Sequence, residues 1–158
     1  MPSKAAIIRV TVALAVVCPM WLSACSSSTK AVTVPAACPS RQALASLSGA
    51  TFGPPTTRRT SASLACLYQQ GGIPLSVAIN TTNLTVSQFQ AGEDAAAAAS
   101  HLTPSTVANL GSAAFLLASA NSTDLTVLAN GHVITLAGGV TSAQAEAIAH
   151  YLVNQVSG

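Results

Sequence analysis

The sequence predicts an α+β domain, an antiparallel sheet of about five strands with helices packed on one face. Three observations predict it. Gly71-Gly72 and Asn130-Gly131 each separate two alternating apolar runs, and such dipeptides mark tight hairpins because their turns demand positive φ. Stretches with helical character, near residues 41–47, 85–102 and 141–156, stand before, between and after the strand runs. The resulting order is α, β-β, α, β-β-β, α. Strands joined by hairpins pair antiparallel, and the amphipathic helices then cover one face.

The chain opens on Lys4 and Arg9, followed by the uncharged apolar run Val10 to Trp21. The run falls short of the roughly 20 residues that cross a hydrocarbon core. It has the length of a signal-peptide core, about 7–15 residues. Pro19 would end a helix there. Leu22-Ser23-Ala24-Cys25 follows and resembles the lipobox of bacterial lipoproteins. That resemblance implies cleavage between Ala24 and Cys25, a fatty-acid anchor such as palmitate on Cys25, and attachment to the extracytoplasmic face of the cell membrane. Residues 1–24 are then the signal peptide. Residues 25–37, small and polar without a period, read as a lipidated flexible tether that reaches about 40 Å when extended. Residues 38–158 form the single folded domain, a normal domain length.

The leader carries the excess charge. The full chain has a formal net charge of +2. Once Lys4 and Arg9 are removed, Lys30, Arg41, Arg58 and Arg59 balance Glu93, Asp94, Asp124 and Glu146. A nucleic-acid surface needs clustered basic residues, which this neutral domain lacks. Of the four cysteines, Cys18 leaves with the leader and Cys25 is lipidated. Cys38 and Cys66 remain as an even pair in an oxidising compartment, so a disulfide is expected.

Pro39-Ser40 followed by Arg41 to Leu47 reads as the first helix, with Gly49 at its left-handed stop. Thr51 to Thr60 holds Gly53-Pro54-Pro55 and reads as a loop. Leu64 to Tyr68 and Ile73 to Ile79 are the first strands. A turn at Gly71-Gly72 sets Leu64 opposite Ile79, Cys66 opposite Val77 and Tyr68 opposite Leu75, all apolar and on one face. Pro74 cannot donate to a ladder, which places this strand at an edge or the residue at a strand end. The second helix runs through an alanine-rich stretch, with Ser87 and Gln90 at capping-box spacing and Val86, Phe89, Ala96, Ala97 and Ser100 on one side. Three strands follow, near 114–120, 125–129 and 132–136. The Asn130-Gly131 turn pairs Val127 with Ile134 and Leu125 with Leu136. The last helix starts at Thr141 with Gln144 completing a capping box. Its apolar face is Ala147, Ile148, Tyr151, Leu152 and Val156.

The early Cys38, the helix stop at Gly49, Ala65-Cys66-Leu67-Tyr68, Leu110-Gly111-Ser112-Ala113-Ala114-Phe115 and the C-terminal helix are together similar to a small domain of unknown function found in actinobacterial cell-envelope lipoproteins. Asn109 and Ser112 depart from the Gly-Leu-Gly-Asp-x-Ala-aromatic pattern common in such domains. The resemblance implies a Cys38–Cys66 bridge and an envelope location, and it brings no enzymatic activity.

Catalysis needs converging polar groups. His101, His132 and His150 are the three histidines, and they fall at a helix end, beside a turn and on a helix flank. Each reads as a surface or capping residue. No metal-ligand spacing, phosphate-binding glycine pattern or Gly-x-Ser-x-Gly motif is present. The expectation is therefore a non-enzyme without cofactor or metal. It would act as a binding, accessory or sensor module toward an envelope protein. The alternative is a carrier for a lipid or other apolar ligand held in a cleft between sheet and helices.

Overall fold

Two hairpins form as their turns require. A computed structural model describes residues 32–157. In it, strands β2 (Ser63–Gln70) and β3 (Ile73–Thr81) turn at Gly71-Gly72, both glycines with positive φ. Leu64, Cys66 and Tyr68 stand opposite Ile79, Val77 and Leu75, the register that the sequence predicts. Strands β6 (Thr123–Ala129) and β7 (His132–Gly138) turn at Asn130-Gly131, again both at positive φ. Leu125 meets Leu136 and Val127 meets Ile134.

The sheet has seven strands rather than about five, in the order β1-β2-β3-β7-β6-β5-β4, every pair antiparallel. The additional strands are β1 (Thr56–Arg59) and β4 (Ser105–Thr106), one at each edge. All six of their residues are exposed, so neither strand carries the alternation that announces a half-buried strand. Pairing to β2 and to β5 (Ala113–Ala118) makes them strands, and local sequence does not encode that pairing. Strand β3 lies inside the sheet, between β2 and β7. Pro74 is accommodated because pairing with β7 begins one residue later, at Leu75, so its missing N–H leaves that ladder intact.

The helices do not share one face. Helix α1 (Arg41–Ser48) and helix α3 (Ser142–Val156) pack on the face formed by Leu64, Cys66, Tyr68, Leu75, Val77, Ile79, Leu125, Val127, Ile134 and Leu136. Helix α2 (Val86–Ser100) lies on the opposite face, where Phe89 packs with Phe115, Leu117 and Leu128. Phe115 and Leu117 alternate with Leu116 along β5, and adjacent strand residues point to opposite sides. Topology supplies the reason. The chain must cross from β3, in the middle of the sheet, to β4 at its edge. The face bearing α1 and α3 is already covered, so the crossover takes the other one.

The caps fix where the helices begin. In α1, Ser40 accepts from the Ala43 amide and Gly49 ends the helix in the left-handed region at φ 68°. Pro39 therefore precedes the cap instead of entering the first turn. In α2 the capping box is Thr85 with Gln88, two residues earlier than the Ser87–Gln90 pair. Both pairs have the same spacing, and only the first stands where the chain leaves β3. In α3, Thr141 and Gln144 form the expected box. The buried stripe of α3 is Ala145, Ile148, Ala149 and Leu152. It is rotated toward smaller residues than the expected face, with Ala147, Tyr151 and Val156 half-buried along its sides.

Candidate functional site

Cys38 and Cys66 are bonded, with Cα atoms 5.8 Å apart. Cys66 points into the core because it shares a face with Val77. The bridge therefore ties the segment leading into α1 to the centre of the first hairpin. Tyr68, fully buried two residues on, donates its hydroxyl to the Pro39 carbonyl at 2.6 Å. Burial, with a smaller contribution from Tyr151, pushes its pKa up to about 12. Phe52 packs edge-on against the same ring.

The residues before Cys38 lie against the domain. Val34 is 4 % exposed and belongs to the main core. Arg59 Nε donates to the Pro35 carbonyl at 3.3 Å. His132 Nε2 lies 3.0 Å from the Thr33 carbonyl. Residues 32–37, which composition alone assigns to the tether, thus form a strap laid across one end of the sheet. Ala24 and Cys25, the expected cleavage and lipidation site, lie outside the described residues, as does the signal peptide.

The three histidines stay apart in role. His101 caps α2 in the left-handed conformation and His150 is exposed on α3. His132 differs from its expected surface position. It is 2 % exposed, because the strap closes over the hairpin end where sequence distance placed only a turn. Among the described residues, no three His, Cys, Asp or Glu side chains gather as a metal site would require.

Among the described residues, one surface open to another molecule is the uncovered half of the α2 side of the sheet. Helix α2 shields β5 and parts of β6 and β7 and leaves β1, β2 and β3 bare. Arg58, Ala65 and Ala78 form one cross-strand row there, and Thr56, Leu67 and Ser76 the next. Leu67 is 41 % exposed. Both sheet edges are poor templates for strand addition. Strand β1 is short and carries two arginines, and β4 has two residues. The face, not an edge, is the accessible surface.

The clefts are small or polar. One of about 270 Å³ beside α2 is lined by Val86, Gln90, Glu93, Asn109 and Ser112, among others. Another, about 290 Å³, lies under the strap, between Pro35, Cys38, Ile79, Tyr151 and Gln155. A third, about 650 Å³, is a hollow between the β5–β6 turn and the start of α3, where hydroxyls mix with Ile73, Ala118 and Val140. Ligand pockets usually measure about 300–1,000 Å³ and are mainly apolar; of these three clefts only the third reaches that volume, and its lining is mixed.

Comparison of the chain with protein-family models, with curated proteins and with solved structures finds no match in any of the three. Among the described residues, no helix is long and apolar enough to cross a membrane.

Proposed function

We propose that this protein is a lipid-anchored lipoprotein of the cell envelope, held on the extracytoplasmic side of the membrane through Cys25, whose domain binds a protein partner without catalysing a reaction. The observation that carries the binding reading is the sheet face over β1, β2 and β3 that α2 leaves uncovered, with Thr56, Ala65 and Ser76 around the exposed Leu67 and Arg58 beside them. A surface of this kind, small and apolar around Leu67 with Arg58 at its margin, suits a protein contact of low charge density. The lipobox-like Leu22 to Cys25 supports the anchor, and the Cys38–Cys66 bridge fits an oxidising compartment. The carrier reading is less favoured, since the sheet–helix cleft is both small and partly polar.

The test uses the full chain in its native host. A photo-reactive residue is placed at Ala65 or Leu67 and, as a control, at His150 on the helix of the other face. The expected outcome is one discrete protein adduct from the sheet positions and none from His150. No adduct, or the same adducts from all three positions, removes the binding reading. Metabolic labelling with a radioactive fatty acid reads the anchor separately, because label on the wild type should vanish in Cys25→Ala.

A further inference from the structure

Both ring nitrogens of His132 face backbone carbonyl oxygens. Nδ1 lies 3.0 Å from the Asn130 carbonyl, and Nε2 lies 3.0 Å from the Thr33 carbonyl. A carbonyl oxygen only accepts, so each contact needs an N–H on the ring. Neutral imidazole has one N–H, and only the imidazolium has two. With the neutral ring, one of these buried contacts sets a lone pair against a lone pair. With the imidazolium, both are charge-assisted hydrogen bonds.

We propose that His132 is a proton-operated latch that holds the strap, residues 32–37, to the β6–β7 hairpin. Closing takes one proton from solvent onto the ring, and opening returns it. The strap and the hairpin supply the ring's two partners, Thr81 at the end of β3 pairs with His132, and the C-terminal end of α3 reaches the hairpin through Ser157, which accepts from Asn130 at 2.6 Å. Across residues 32–35, 79–82, 128–134 and 153–157, His132 is the sole ionisable side chain. The charged group on the strap is Arg59, at the Pro35 carbonyl, and its guanidinium stays charged throughout the range in which histidine titrates. Strap closure therefore responds to the protonation of one side chain. The latch holds where the ring carries both protons and loosens where it carries one, so closure weakens as pH rises.

The Cys38–Cys66 bond sets the limit of release, since it pins the chain just after the strap. Freeing residues 32–37 would lengthen the lead into the domain by about 20 Å and uncover the seat of Val34. The latch is a property of the domain alone. Its effect on the distance from a membrane rests on the anchor reading, and the experiment below does not depend on that anchor.

Labelling of Val34→Cys, a buried position, by a water-soluble thiol reagent, corrected for the thiolate fraction, follows opening of the strap on the full mature chain. Labelling should be roughly tenfold slower near pH 5.5 than near pH 8, and His132→Gln should abolish that difference. In parallel, ¹⁵N-histidine spectra of the wild type, assigned with His101→Gln and His150→Gln, should show both His132 nitrogens protonated at the lower pH. This second measurement decides the matter even where His132→Gln does not fold. A strap whose labelling rate changes less than about twofold over this range, an unchanged pH response in His132→Gln, or a single neutral His132 tautomer throughout would overturn the latch.

Discussion

Tyr68 shows how much one buried polar atom can impose. Its ring fills the core under α1, and its hydroxyl is matched to the Pro39 carbonyl. Burial favours the neutral phenol, so the folded pKa, about 12, stands above the ordinary 10.0. The sign follows from linkage. Between these values the unfolded chain has lost the proton while the native protein keeps it, so stability is intact below pH 10 and falls as pH rises toward 12. Two pKa units correspond to roughly 2–3 kcal/mol. Urea unfolding between pH 9 and 12 should show that loss in the wild type and a much flatter profile in Tyr68→Phe. Gly111 illustrates the opposite economy, since it works by having no side chain. At φ 67° a Cβ would run into the Leu128 carbonyl oxygen, where β6 approaches the entry to β5 and Ser112 donates to that same oxygen at 2.7 Å. The sequence singles out the segment around Gly111, but only the contact with β6 explains the residue.

At the scale of elements, α2 depends on its ends and on one aromatic anchor. Phe89 is its sole buried residue, and most of its alanines face solvent. Tertiary packing therefore contributes little per residue, and helix propensity and the cap carry a larger share. Thr85→Ala should cost about 1 kcal/mol. Ser87→Ala, at the box that sequence spacing favoured, should change stability by less than about 0.5 kcal/mol, since Ser87 contacts only the Thr85 hydroxyl. Chemical denaturation of the two variants side by side distinguishes the boxes, and equal losses would contradict the observed cap. The strap is held in a different way from α2. It has no regular structure and stays in place through Val34 and two side-chain contacts to its carbonyls. A composition of small polar residues cannot reveal that, because the groups that hold it lie 24 and 99 residues away.

Across the whole molecule the disulfide does the work of a longer chain connection. It joins residues 28 apart and sets strap, α1 and first hairpin around one point. In the chain-entropy model a loop of this size stabilises by about 3–4 kcal/mol. Reduction should lower the unfolding free energy by about that amount, measured by urea titration with and without reductant, and a loss under about 1 kcal/mol would mean that native packing holds the loop without it. The two faces of the sheet also acquire separate roles at this scale. One is sealed by α1 and α3 and carries the main core. The other is only partly covered by α2, and its bare half is the surface proposed for a partner.

By itself the sequence determined what adjacent residues can settle. The turn dipeptides imposed both hairpin registers, the Thr141–Gln144 box started the last helix, and the even pair Cys38 and Cys66 pointed to their bridge. Each depends on backbone geometry or chemistry within a few residues, or on elimination among very few candidates. The tertiary structure alone decided the rest. It recruited β1 and β4 by pairing to strands already formed, sent α2 to the free face because the crossover needed one, and laid the strap over His132. It also left bare the sheet face of the candidate site. These outcomes depend on which surfaces remain unoccupied once the hairpins and outer helices have packed, a property of the assembled chain that no local pattern records.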